Sequence, residues 1–155
     1  ELKLAVAQRA NKKHRVKAIH AQIANRRKDF LHKLSTRLVK ETGAIFVGNV
    51  NAAGLAKKKM TKSVLDAGWS TCRTMLQYKC DNAAVWFEEV NESYSTQTCS
   101  SCGVIPSSSP KGLAGLNKRD WECCECGAVH DRDTNAAKNL LAAGHRRLAA
   151  AIPGL

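Results

Sequence analysis

A chain of 155 residues fits one domain with a small insertion, and 44% hydrophobic against 25% charged residues is the balance of a folded protein. No apolar run approaches the ~18 residues of a membrane span, and the basic opening stretch has no apolar centre like that of a signal peptide, which excludes membrane function and leaves a soluble, cytoplasmic reading. Twenty-five Lys and Arg against thirteen Asp and Glu give +12, of which +9 sits in residues 1–42, so nucleic acid is the expected partner and a merely solvated helix face the alternative.

From about Ala5 to Glu41 no Pro or Gly interrupts the chain, and Val16, Ile19, Ile23, Phe30, Leu31, Leu34 and Leu38 recur near helical spacing. This is one long helix or a pair. Gly43 suits a left-handed C-cap, after which Ala44-Ile45-Phe46-Val47 reads as a buried strand of a parallel sheet. Residues 48–62 mix Gly, Asn and lysines in a loop suited to phosphate. A second helix is expected from Ser63 to Asn82, with Val64, Leu65, Trp69, Met75, Leu76 and Tyr78 for its buried side and Cys72 and Cys80 as small hydrophobes. A second strand is expected over Ala83 to Val90. Strand, helix, strand is a parallel crossover.

Residues 99–128 have few large apolar groups and need a staple. Cys99-Ser-Ser-Cys102 and Cys123-Cys-Glu-Cys126 supply it: two CxxC turns twenty residues apart, each followed by a glycine, Gly103 or Gly127, free to take φ > 0. The odd total of seven cysteines argues against a disulfide framework. Four thiolates from two such turns make a closed tetrahedral zinc site, with a redox pair or an iron–sulfur centre as alternatives. Cys124 would break the symmetry of the turns and is left out. Lys111, Lys118, Arg119 and Trp121 lie between the pairs and suit phosphate or base contact, although Trp121 reads more simply as the small core of the ribbon. Thr134 to Ala151 is a closing helix with Leu140, Leu141 and Leu148 as its apolar face. Asp133 before it reads as the N-cap, which leaves Asp131, Asn135 and Asn139 unexplained.

The order of basic helix, buried strand, WSTCRTMLQYK helix, VNESYSTQTCSSCG, WECCECG and HDRDTNAAKN resembles the carboxy-terminal half of the TnpB (OrfB) proteins of insertion sequences, relatives of type V CRISPR effectors and of Fanzor proteins, over roughly residues 17–145. The resemblance implies an α/β fold: a partial RNase H-like (RuvC) domain over 1–98 and 129–155, interrupted by a zinc ribbon over 99–128 that binds target nucleic acid. It implies a transposon-encoded, RNA-guided DNA endonuclease that cuts phosphodiesters with two Mg²⁺ ions, with DNA and a guide RNA as partners and a prokaryotic, nucleoid-associated setting. The Asp of the family's DRDxN motif falls on Asp133, a Mg²⁺ ligand by that alignment. The family's Glu at the end of the buried strand falls on Gly48, which cannot bind metal. A relocated carboxylate at Glu92, just past the second strand, answers this; solvent-exposed charge at Glu92 and a nuclease-dead, DNA-binding repressor are the competing expectations. Arg132 is expected on phosphate or in an ion pair with Asp131 or Asp133. The family's first acidic residue has no counterpart, so the chain is expected to be a fragment that does not cut alone.

Overall fold

The computed structural model describes residues 2–49, 68–112 and 114–152. The expected phosphate loop beyond residue 49, with Val64 and Leu65, lies outside them. The elements run α1 (Leu2–Arg9), α2 (Lys13–Glu41), β1 (Ala44–Gly48), α3 (Trp69–Ala83), β2 (Trp86–Val90), a 3-10 turn (Ala114–Asn117), β3 (Asp120–Glu122), β4 (Val129–Asp131) and α4 (Arg132–Ala151). They divide into a unit of residues 1–43 and 52–86 and a unit of residues 44–51 and 87–155. Helices accompany two two-stranded sheets, the mixed class that the sequence predicts. Among the described residues no helix is long and apolar enough to cross a membrane.

In the first unit the basic stretch is a pair of helices, because Asn11 takes φ 51° and ends α1. The N–H of Lys12 reaches the carbonyl of Ala7 and that of Asn11 the carbonyl of Gln8, both at 3.0 Å, the paired bonds of a Schellman cap with Asn in the left-handed position. Helices α2 and α3 meet along Leu31, Ser35 and Val39 on one side and Cys72, Met75, Leu76 and Cys80 on the other. Small Ser35 and Cys80, both wholly buried, let the backbones approach. Ser35 Oγ donates to the carbonyl of Leu31 at 2.7 Å, which removes the cost of burying it. Lys79 Nζ fills all three donor positions at 2.7 Å, on the carbonyl of His32 and the hydroxyls of Ser35 and Thr36.

Three expectations need correction here. Trp69 and Tyr78 are 37% and 41% exposed; Trp69 opens α3 and Tyr78 lies on the flank of its buried stripe, which the two cysteines occupy as expected. Ile23 and Phe30 are 40% and 62% exposed, since the amino-terminal part of α2 has no buried residue before Leu31. Gly43 is not left-handed: Thr42 ends α2 in extended conformation, φ −130° and ψ 146°, so the chain runs straight into β1. Helix α3 does end on a left-handed residue, Ala84 at φ 54°, and β2 therefore starts only at Trp86.

In the second unit β1 and β2 are neighbours. The N–H of Asn49 bonds the carbonyl of Val90 at 2.9 Å, and at the start of the strands the N–H of Trp86 bonds the carbonyl of Gly43 at 3.1 Å, both of these residues counted with the first unit, so both strands advance in the same direction, as a parallel pair does. Val47 and Val90 are buried. Helix α4 seats on β1 through Gly144: a Cβ there would collide with the ring of Phe46, which also meets His145 edge-on at 5.5 Å. Arg147 donates to Glu88 Oε1 at 3.0 Å and ties the same helix to β2.

Candidate functional site

The ribbon is built from two knuckles of the same design. The N–H of Cys99 bonds the carbonyl of Val104 while its own carbonyl accepts from Gly103; Cys123 does the same with Ala128 and Gly127, all at 2.8–2.9 Å. Gly103 and Gly127 take φ +79° and +71°, as the sequence predicts for both turns. Each knuckle turns its two thiols to one side, and the ligand atoms of Cys99, Cys102, Cys123 and Cys126 lie within 4.8 Å of one another. Two of the sulfur–sulfur separations are 3.7 Å (Cys99–Cys126) and 3.8 Å (Cys102–Cys123). A tetrahedron with 2.3 Å metal–sulfur bonds has edges of about 3.8 Å, so the four thiols are spaced to hold a metal ion.

Charge agrees with geometry. Burial raises the Cys99 thiol, but hydrogen bonds from the N–H groups of Cys102 and Ser101 and from His130 outweigh it and bring it down to about 5. Cys126 receives a backbone hydrogen bond from Ala128, yet desolvation and the surrounding sulfurs push it up to about 12. Four adjacent thiols ionise together only around a cation. Cys124 stands apart as expected, exposed and 3.5 Å from Ser107 Oγ.

Below the knuckles β3 and β4 pair antiparallel, with Asp120 opposite Asp131, Trp121 opposite His130 and Glu122 opposite Val129. Trp121 is 3% exposed beside Cys99 and Cys123 and forms the small core of the ribbon. His130, which the sequence reading left without a role, lies 5.0 Å from the Trp121 ring with its Nε2 3.0 Å from Cys99 Sγ. An imidazole at that distance is an outer-sphere partner of the thiol.

Strand β4 leads directly into α4, and here the cap differs from expectation. The helix begins at Arg132, and Asp131 is its N-cap, accepting from the N–H of Thr134 at 2.8 Å. That backbone bond holds the Asp131 carboxyl below its ordinary range. Asp133 is thereby free of the capping role, and its side chain is 67% exposed with Arg132 Nε 3.3 Å from Oδ1. Asn135 and Asn139, one helical turn apart, both donate from Nδ2 to the carbonyls of Ser95 and Thr98, and Asn135 Oδ1 accepts from the N–H of Ser100. The spacing of four in Asn135–Asn139 was the available signal for this clamp on the segment entering the ribbon.

That segment starts at Glu92. Its N–H lies 3.3 Å from Asn49 Oδ1, and its carbonyl accepts from Ser95. The Glu92 side chain lies over Gly48: a Cβ built on Gly48 would run into Glu92 Oε2 and would stand 3.2 Å from Glu92 Cβ. Glycine at 48 thus gives Glu92 the space in which a side chain at 48 would begin. Burial raises the Glu92 carboxyl above its usual value. Among the described residues the four cysteines are the one group of three or more potential ligands; Glu92 and Asp133 stand as separate donors.

Comparison with known proteins matches this layout. Residues 3–59 match the OrfB family of IS605-type elements, described as a probable transposase, and residues 69–140 match the Cas12f1-like TNB domain. The chain is 41% identical over 144 residues to a protein of Streptomyces pristinaespiralis named as an RNA-guided DNA endonuclease, and 35% identical over 135 residues to the TnpB-like protein L79 of Acanthamoeba polyphaga mimivirus. The chain is similar along most of its length to the TnpB (OrfB) family. These alignments take in 89% and 81% of the chain but 33% and 24% of the relatives, so it spans about a third or less of their length. The fold of this chain is similar to that of Cas12f1, solved as a complex with single-guide RNA and target DNA, at a TM-score of 0.68 and 15% identity over 89% of this chain and 39% of that one.

Proposed function

We propose that this chain supplies the carboxy-terminal RuvC-like and zinc-ribbon region of an RNA-guided DNA endonuclease. Residues 1–98 and 129–155 contribute to an RNase H-like domain, and 99–128 form a ribbon that binds target nucleic acid. The observation that supports the reading is the Glu92 side chain lying over Gly48, the position at the end of β1 where the family motif has its Glu. Glu92 and Asp133 are the Mg²⁺ ligands from this chain, and both fit: one is an acceptor-only group at a sheet end, the other an exposed carboxylate relieved of capping. Mg²⁺ held by these carboxylates would supply activation of water and charge stabilisation of the leaving oxygen of a phosphodiester.

Cys99, Cys102, Cys123 and Cys126 would hold Zn²⁺ as four thiolates, and the ion would act by folding the segment rather than on substrate. The Lys and Arg of α1 and α2 face nucleic-acid backbone, which carries no sequence information, so target choice falls to the guide RNA. The competing reading, a nuclease-dead guided repressor, is favoured by Gly48 alone. Guided cleavage of a DNA duplex, assayed in a chain of the relatives' length, separates the two. Glu92→Gln or Asp133→Asn is expected to lower cleavage by at least about a hundredfold while guided binding persists; unaltered cleavage by both variants would overturn the assignment.

A further inference from the structure

We propose that Arg132 is a positioning residue for Asp133 and that the four-thiol ribbon sets its hold on that carboxylate. The inference rests on the assignment of Asp133 as a metal ligand. An exposed aspartate in the first turn of a helix samples several rotamers, and ordering it for metal costs entropy. Arg132 limits that freedom. Its side chain is only 20% exposed, with Nη1 3.3 Å from the carbonyl of Gly115 and Nε 3.3 Å from Asp133 Oδ1. The backbone N–H of Arg132 bonds the carbonyl of Arg119 at 2.7 Å. One residue thus grips the segment between the two cysteine pairs at two points and Asp133 at a third.

The grip reaches the thiols through consecutive residues. His130 touches Cys99 Sγ, Asp131 pairs with Asp120 and caps α4, Arg132 bonds Arg119 and Gly115, and Asp133 follows. An ordered ribbon fixes the Gly115 carbonyl, which accepts from the guanidinium, and the Arg119 carbonyl, which accepts from the Arg132 backbone N–H, and the guanidinium meets Asp133 at Oδ1. A lysine has the charge but not the planar fork that spans two acceptors.

The test is nuclear magnetic resonance on the zinc-loaded chain with labelled aspartate, comparing the parent with Arg132→Gln and Arg132→Lys. The Asp133 carboxyl carbon is expected to relax as an ordered group in the parent and as a mobile one in both variants. A cobalt-substituted thiolate spectrum identical in all three verifies that the ribbon is intact. Half-saturation of the Mg²⁺-dependent shift of that carbon is expected to rise about tenfold in Arg132→Gln. Equal mobility of Asp133 in the parent and Arg132→Gln, or full rescue by Arg132→Lys, would overturn the latch. A parent whose Asp133 is ordered but does not respond to Mg²⁺ would support the latch and overturn the ligand assignment instead.

Discussion

In the helical unit Leu31, Val39, Met75 and Leu76 bury apolar surface against one another, each contributing about 1.5–3 kcal/mol. In the ribbon the buried cluster is Cys99, Trp121 and Cys123, with Ala128 packed on it, and Trp121 Nε1 is buried without a hydrogen-bond partner. The first region holds its shape by side-chain packing; the second has, beside that small cluster, four thiols spaced to hold a metal ion. The difference predicts that each fails to a different insult.

The largest effect is expected from removing the ion. Chelation or Cys123→Ser removes folding free energy on the order of 10 kcal/mol from the ribbon, seen as loss of dispersed resonances for residues 99–131, while helical circular dichroism from α2 and α3 persists. Leu76→Ala does the reverse. It costs about 2–5 kcal/mol and lowers the helical melting temperature, but leaves a cobalt–thiolate spectrum intact. Asn135→Ala leaves the N–H of Ser100 without its acceptor and is expected to cost about 1–3 kcal/mol, read as faster amide exchange at Ser100.

The two aspartates before α4 sharpen the contrast between structure and chemistry. Asp131→Ala is expected to lower the melting temperature at neutral pH, whereas Asp133→Asn leaves it nearly unchanged. The Asp131 carboxyl is held below its ordinary value, so its contribution is present above the unfolded value of ~3.9 and is lost as the pH falls through the folded one. Glu92 has the opposite sign. Its carboxyl is raised by burial, so the folded state binds the proton more tightly and ionisation at neutral pH costs stability. Glu92→Gln is therefore expected to raise the melting temperature slightly at pH 7, by about 1–2 °C, with the gain vanishing below pH ~4.3.

The ribbon was legible because its chemistry is periodic in the chain: two cysteines with two residues between them, then glycine, twice over. The parallel strand pair and the Cys72 and Cys80 packing were legible from apolar runs and spacing. The helix ends were not: α2 stops on extended Thr42 where Gly43 is the expected left-handed cap, whereas α1 and α3 stop on the left-handed non-glycine residues Asn11 and Ala84. The cap was read as Asp133 because the helix start was placed two residues late. His130 escaped notice because its partner, Cys99, is thirty-one residues away and the strand register that joins them is fixed by the fold alone.

The most direct test of the account is a carboxylate swap in a chain of the relatives' length. Glu92→Ala is predicted to abolish guided cleavage, and adding Gly48→Glu, which enters the space that Glu92 has vacated, is predicted to restore it. Parent-level cleavage by Glu92→Ala alone would contradict the central claim.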